Sequence, residues 1–310
     1  MAVSTLLCTL PTASLPSGTQ LDTLSGIADS RLTASLFWAI ETTDSTASPN
    51  AYVYGIDYSG SHQKTLRLIG ISNVSGGPAL YEAWGDMCYD EINTTIWVAN
   101  SVNAGHGGDT FWAYSFLEPG TLGSSGTVLD VTISGQYLFQ WPDAGAGGWD
   151  CEAMMVDPGG QLYFVNKENS VDTGLYQAPA SLAPPPAVNT LTKVASWTDV
   201  SFVTAADWAS DNSAIYLTTQ DDAGLGDAIY KYSTSDFSYI GKQQVPDTQS
   251  GGGSPGLESA LGFTANSTAL LRGSAGLGAQ VYSIDPNHNA APTYTWRYSS
   301  TQLLSYRTHS

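Results

Sequence analysis

Residues 148–169 read GWDCEAMMVDPGGQLYFVNKEN, and the pattern of this stretch predicts the fold of the whole chain. Two short apolar runs stand on either side of the turn sequence that begins at Asp157, DPGG. Runs of this length around a Pro-Gly turn are typical of a β-hairpin. Charged residues stand at both open ends of the hairpin, with Asp150 and Glu152 before the first strand and Lys167 after the second.

The charge balance of the chain excludes two classes of partner. The 310 residues include 28 Asp and Glu but only 10 Lys and Arg, so the formal net charge is −18. Binding to nucleic acid requires clustered cations that neutralise phosphates, and anionic membrane surfaces attract the same cations. We therefore expect neither partner. No apolar run approaches the 18 residues or so that a membrane-spanning helix needs.

Three glycosylation sequons favour a secreted, extracellular protein. They begin at Asn73, Asn93 and Asn266 in a chain rich in Ser, Thr, Gly and Tyr and poor in Lys. The apolar residues near the N-terminus are too few, and lack the basic flank, to form a signal peptide, so we expect this to be the mature form.

The three cysteines, Cys8, Cys88 and Cys151, are too few for a disulfide framework. Cys88 follows Asp86 by two residues, whereas Cys151 precedes Glu152 by one. On aligned strands this offset is roughly 10 Å, which is more than a disulfide allows. We therefore predict mostly reduced, buried thiols.

The hairpin pattern recurs five times along the chain, and helical periodicity is almost absent. Each unit supports a third strand and a fourth, and the predicted fourth strands are 65–71, 135–141, 191–197, 239–245 and 293–298. Five units of four strands predict an all-β fold, a β-propeller of five four-stranded blades in a single domain over residues 1–310. Six blades are the alternative. The segment from Ser4 to Leu10 is expected to add a strand to the last blade and close the ring.

The strand and turn from Val156 to Tyr163, VDPGGQLY, resemble blades of secreted propellers of the broad gluconolactonase-like and phytase-like group. This resemblance supports the architecture and transfers no reaction, because propellers host many functions.

Inner strands line the channel of a propeller, so residues at their starts should meet at one end of it. In the five units these residues are Ser25, Asp86, Glu152, Asp207 and Glu258. Four of the five are carboxylates, and like charges at short range repel unless a proton, a cation or a partner intervenes. The structural alternative is that these carboxylates accept hydrogen bonds from the backbone of turns and of the next blade. Among the carboxylates before the hairpin, we expect Glu152 to matter more than Asp150.

Other residues are predicted to line the same funnel and to bind substrate. They lie at second-strand ends, in loops or beside the carboxylates, and they are Asn100, His106, Lys167, Arg272, Trp84, Trp149 and Trp208. The remaining strand tryptophans, Trp38, Trp97 and Trp112, are expected in the core.

The main functional prediction is a secreted carbohydrate-active hydrolase. Asp86, Glu152, Asp207 and Glu258 would supply the acid and the base of general acid/base catalysis, since crowded carboxylates separate their pKa values. The funnel resembles, in plan, those of five-bladed arabinanase-type glycosidases. The ligand would be a carbohydrate or another small neutral molecule, no cofactor would be required, and the protein would be a monomer.

Two alternatives stay open from the sequence. Oxygen ligands from Asp86, Glu152 and Asp207 could bind Ca²⁺ at the channel mouth, as in a Ca²⁺-dependent lactonase or an esterase-like hydrolase. The propeller could also be a non-enzymatic sugar-binding or surface-binding protein. The four histidines are scattered, which disfavours zinc.

Overall fold

The computed structural model describes residues 4–10, 15, 21, 24–41, 51–72, 84–101, 109–143, 149–167, 172–219, 228–244, 258–264, 269–274 and 280–284. This part of the chain contains strands and turns and no helix, and so no helix that could cross a membrane. Its strands are β1 (Ser4–Thr9), β2 (Leu24–Asp29), β3 (Leu36–Glu41), β4 (Ala51–Asp57), β5 (His62–Ile69), β6 (Met87–Asp90), β7 (Thr95–Asn100), β8 (Thr110–Leu117), β9 (Thr127–Thr132), β10 (Gly135–Gln140), β11 (Ala153–Val156), β12 (Leu162–Val165), β13 (Thr173–Gln177), β14 (Val188–Thr190), β15 (Thr192–Trp197), β16 (Val203–Trp208), β17 (Ile215–Thr219), β18 (Ala228–Tyr232), β19 (Tyr239–Gln244), β20 (Glu258–Phe263), β21 (Leu270–Ser274) and β22 (Gln280–Ile284).

The strands form five sheets, and the predicted five-bladed β-propeller is confirmed. Blades 1 to 5 run outward from the channel as β2-β3-β4-β5, β6-β7-β8-β10, β11-β12-β13-β15, β16-β17-β18-β19 and β20-β21-β22-β1. The quoted hairpin is β11 and β12, joined by the turn at residues 157–161. Four of the predicted fourth strands correspond to β5, β10, β15 and β19.

The inner strands β2, β6, β11, β16 and β20 contact one another in a closed ring. Blade 5 takes its fourth strand from the N-terminal segment, since β1 is antiparallel to β22 from Ser4 opposite Ile284 to Thr9 opposite Gln280. The remaining predicted fourth strand, residues 293–298, lies outside the described residues.

The hydrophobic core is divided among the interfaces between blades. One apolar cluster lies between each pair of neighbouring blades; that between blades 1 and 2, for example, contains Trp38 and Trp112, both completely buried. A blade buries both faces only when it has a neighbour on each side, which is why the ring must close. Near the channel the inner strands approach so closely that a Cβ at Gly26 would lie 2.6 Å from the backbone nitrogen of Met87.

Two strands are additions that the repeat did not predict. β9 pairs in parallel with β5 on the outer edge of blade 1, and β14 pairs in parallel with β10 on the outer edge of blade 2. Each strand comes from the connection between the third and fourth strands of the following blade. Both cover open edges that could otherwise pair with another chain.

The three cysteines are unpaired and buried, as predicted. Cys88 follows the first residue of β6, whereas Cys151 precedes β11, so the two thiols lie at different levels of the channel.

Candidate functional site

The face of the disc at which the inner strands begin carries Ser25 and Glu152 and is called the proximal face. The opposite, distal face carries the last residues of these strands, such as Asp29 and Trp208. The second strands of the hairpins and the fourth strands of the blades end at the proximal face, and the sequence intervals that follow three of these fourth strands, 70–86, 141–152 and 245–257, are long. Short turns join the first and second strands of the blades at the distal face. Long loops on a rigid scaffold commonly carry function, so the proximal face is the first place to search.

Strand pairing identifies which residues are equivalent around the proximal face. The residue four positions before the end of each inner strand is Ser25, Asp86, Glu152, Thr204 or Ser259. Register shifts in blades 1, 4 and 5 place Ser25, Thr204 and Ser259 at β-bulges. The equivalent positions therefore hold two carboxylates and three hydroxyl residues, not the four carboxylates that the sequence predicted.

The prediction that Asp207 stands at the start of an inner strand is wrong. β16 begins at Val203, and Asp207 is its penultimate residue, paired with Tyr216 near the distal end. The sequence DWASD, which begins at Asp207, is similar to the DMCYD of β6 and was therefore aligned with it. The small residues Ala205 and Ala206 give no strong apolar signal for the part of the strand that precedes Asp207. Glu258 does begin β20, but Ser259 is the equivalent of Glu152; the Glu258 side chain lies outside the described part.

Glu152 and Lys167 form an ionic contact beside the start of β11 at the proximal face. Lys167 Nζ lies 2.5 Å from Glu152 Oε2, and the side chains of Lys167 and Glu152 are 16% and 18% exposed. The hairpin brings them together because its pairing continues beyond β11 and β12, with the Lys167 N–H donating to the Asp150 carbonyl at 2.7 Å. Burial raises the pKa of the Glu152 carboxyl above its ordinary value, while the Lys167 ammonium opposes the rise and Asp150 adds to it.

Asp86 is equivalent to Glu152 in register but points into the interior. It is fully buried, and its carboxylate accepts backbone N–H groups from Met87 at 2.8 Å, Met154 at 2.9 Å and Ala206 at 3.4 Å. These donors belong to three blades, so Asp86 joins inner strands across the channel. Burial raises the pKa of Asp86 well above its ordinary value despite these donors. This is the structural role that the sequence left open for these carboxylates.

Asp207 has the same role at the other end of the channel. Its Oδ2 accepts the Phe263 N–H at 2.6 Å and its Oδ1 accepts the Trp208 N–H at 2.8 Å. The concavity beside it, about 420 Å³ including its open side, is also lined by Arg31 and Glu91. Arg31 Nη2 lies 3.0 Å from Glu91 Oε1, so the guanidinium already has an anionic partner there. Arg31, Glu91 and Asp207 at the distal concavity therefore all have partners within the fold.

Two further polar residues, Asn166 and Thr219, are buried at the proximal face. Asn166 is fully buried, with Oδ1 accepting the Gly174 N–H and Nδ2 lacking a partner among the described residues. Thr219 is 1% exposed, and its Oγ1 also lacks a partner in that part of the chain. Both stand at second-strand ends, beside or opposite the inner-strand starts, and that position in the repeat was the available signal.

The tryptophans do not form one aromatic wall. Trp84 is 4% exposed and packs edge-to-face on Tyr114 in the core. Trp208 is buried at the distal end, where its Nε1 donates to Asn212 Oδ1 at 2.8 Å. Only Trp149 is half-buried near the proximal face, with its Nε1 3.2 Å from Asp143 Oδ1. The prediction that all three flank one funnel is therefore wrong, because Trp208 shares the register error of Asp207.

The other predicted residues have separate positions. Asn100 ends β7 and is buried, and Asn93 lies exposed in the turn 91–94, where its Nδ2 donates to Asp90 Oδ2 at 2.7 Å. Arg272 lies in β21 opposite Leu261, with its side chain outside the described part. His106, Asn73 and Asn266 also lie outside the described residues.

The described residues do not fit the predicted Ca²⁺ site. Asp86 and Asp207 lie at different levels of the channel with their oxygens bonded to backbone N–H groups, and Glu152 already contacts an ammonium group. No group of three or more His, Cys, Asp or Glu side chains in this part of the chain could hold a metal ion.

No protein-family model matches the chain, and no curated protein matches it. Among solved structures, it is similar to a PQQ-bound aldose sugar dehydrogenase from Streptomyces coelicolor, with 11% identity and a TM-score of 0.49 over 92% of this chain and 98% of that one. It is also similar to a gluconolactonase from Xanthomonas campestris, with 11% identity and a TM-score of 0.47 over 92% of this chain and all of that one. At this identity no residue role passes from either protein, and the function must be argued from the side chains of this chain alone.

Proposed function

We propose that this protein hydrolyses lactones or other neutral esters of hydroxyl-rich compounds at its proximal face. The observation that carries the proposal is the 2.5 Å contact between Glu152 and Lys167, which is partly exposed beside the channel. A carboxylate and an ammonium held together supply the two groups that ester hydrolysis by water needs: a general base and a cation for the developing oxyanion.

The same contact favours ester hydrolysis over glycoside hydrolysis. A glycosidase needs one protonated carboxylic acid and a second carboxylate across the scissile bond. Burial raises the pKa of Glu152, but the Lys167 ammonium beside it opposes the rise and stabilises the ionised form that a base needs. The second predicted carboxylate, Asp86, is fully buried with both oxygens accepting backbone N–H groups, so it is not accessible to a substrate.

The proposed reaction uses one water molecule. Its oxygen bonds to the carbonyl carbon while Glu152 accepts its proton, and Lys167 stabilises the negative charge on the carbonyl oxygen. The tetrahedral intermediate then releases the alkoxy oxygen, which receives the proton from Glu152, and leaves a hydroxy acid.

The charge of the chain fits a neutral substrate and an anionic product. A net charge of −18 disfavours the approach of anions, and the carboxylate that hydrolysis creates would be repelled from the site. The difference in charge between the neutral substrate and the anionic product therefore favours product release.

The test is hydrolysis of an aldono-δ-lactone and a p-nitrophenyl ester, with p-nitrophenyl glycosides for comparison. We expect lactone or ester cleavage, a fall of about 100-fold or more in kcat for Glu152→Gln, and a comparable fall for Lys167→Met. Asp150→Asn is the matched control, because it removes a neighbouring carboxylate on the same segment, and it should leave kcat nearly unchanged.

Three outcomes would contradict the proposal. Full activity of Glu152→Gln would show that Glu152 is not the general base. Cleavage of glycosides without cleavage of esters would favour the predicted glycosidase instead. Binding of sugars with no hydrolysis of any substrate would favour the non-enzymatic propeller.

A further inference from the structure

The outer edge of blade 4 is open in the described part of the chain. β19 is the last strand of that sheet, and no described strand pairs with its outer side. Tyr239 and Ile240 at its start are 50% and 53% exposed. An edge with free N–H and C=O groups and exposed apolar side chains is a template for another strand.

Blades 1 and 2 show how this propeller covers such an edge. The fifth strand of blade 1, β9, follows β8, the third strand of blade 2, after the connection 118–126. The fifth strand of blade 2, β14, follows β13, the third strand of blade 3, after the connection 178–187. In both cases the chain leaving a third strand turns back and pairs in parallel with the outer strand of the preceding blade. Blade 3 has no such fifth strand in the described part of the chain, because β18 leads directly to β19.

The corresponding segment for blade 4 is the chain that leaves β22, the third strand of blade 5. The fourth place in blade 5 is already taken by β1, so this segment does not need to supply a fourth strand. Residues 293–298 read TYTWRY, which alternates as a strand does, and they follow a connection, 285–292, of nearly the same length as those before β9 and β14.

We propose that residues 293–298 dock on the outer edge of β19 as a parallel fifth strand. The C-terminal segment would then cover the open hydrogen-bonding groups of blade 4 together with Tyr239 and Ile240. A segment of the same chain is favoured over a second copy, because a short tether keeps its effective concentration in the millimolar range. The inference is independent of the proposed hydrolytic site, which lies at the channel.

The test is hydrogen–deuterium exchange of the full-length protein. In a parallel strand, every second N–H group faces the partner strand. One of the two variants Tyr294→Pro and Thr295→Pro should therefore remove an N–H group that pairs with β19. We expect residues 239–244 to be protected in the parent chain and to exchange at least about tenfold faster in that variant. Ser305→Pro, outside the predicted strand, is the matched control, and residues 239–244 should exchange in it as slowly as in the parent. The exchange rates of β17 should be the same in the parent and in every variant.

Several results would overturn the inference. One is exchange of residues 239–244 in the parent at the rate of an open edge. Another is protection that neither proline changes. Protection that disappears on dilution would indicate that a second copy covers β19 instead.

Discussion

At the scale of single residues, two buried carboxylates hold the channel together. Asp86 accepts N–H groups from β11 and β16 as well as its own strand, and Asp207 accepts the N–H of Phe263 in β20. The Asp side chains reach the backbone of neighbouring inner strands. Acidic residues near the ends of inner strands are therefore not by themselves a sign of catalysis.

The burial of Asp207 predicts an unusual pH dependence. Burial raises the pKa of Asp207 to about 6 in the folded protein, although the N–H of Phe263 and the charge of Arg31 oppose the rise. Since the unfolded chain releases this proton near pH 3.9, the folded state binds more protons between about pH 4 and pH 6. The contribution of Asp207 to stability is therefore fully present below pH 4 and is lost as pH rises through 6.

Urea unfolding of the parent and of Asp207→Asn across this range measures the effect. The stability of the parent relative to the variant should fall as pH rises from about 4 to about 7. A carbon-13 titration of the Asp207 carboxyl in the parent gives the pKa without a variant. A midpoint at or below the ordinary value of an aspartate would contradict the prediction.

At the scale of elements, blades are joined by side chains as well as by apolar packing. Glu118 follows β8 in blade 2 and is 5% exposed. It accepts the Trp38 Nε1–H at 2.8 Å, the Arg31 N–H at 3.1 Å and the Ser30 hydroxyl, all from the first hairpin of blade 1. One carboxylate thus fixes the turn of blade 1 against the neighbouring blade.

Glu118→Ala should destabilise the protein strongly. Three donors lose their acceptor in a buried site, and each unsatisfied buried donor costs about 1–3 kcal/mol, so we expect a loss of at least about 3 kcal/mol in the free energy of unfolding. Glu118→Gln keeps one carbonyl acceptor and should cost less. The comparison is Asp130→Ala at the exposed Arg67 pair on β9, which should change the urea midpoint little. Equal effects at the two sites would refute this role for Glu118.

At the scale of the whole molecule, the net charge of −18 opposes folding through repulsion between carboxylates. Raising NaCl from about 0.01 M to about 0.15 M shortens the Debye length from about 30 Å to about 8 Å. The thermal midpoint should therefore rise with salt. KCl at equal ionic strength should produce the same shift, and a midpoint that falls would show that attractive ion pairs dominate instead.

The repeat of short strands and turns was sufficient to predict five blades. The alternation of apolar residues and the turn residues of the 157–161 hairpin act locally, over a few positions, and each blade repeats them. The contact between Glu152 and Lys167 was predictable for the same reason, because the two open ends of one hairpin must meet. The N-terminal strand could also be anticipated, since a ring of blades leaves an edge that one end of the chain can cover.

Only the tertiary structure decided which carboxylates face the proximal side. The true start of β16 depends on a bulge at Thr204 and on pairing with β17, and the small alanines of that strand carry no local signal for either. Whether Asp86 points to solvent or into the channel depends on the N–H groups of β11 and β16, which lie far away in sequence. The parallel strands β9 and β14 likewise depend on edges that exist only after the ring has closed. Local patterns specify strands and turns, whereas register, side-chain direction and edge pairing depend on contacts that form only when the blades assemble.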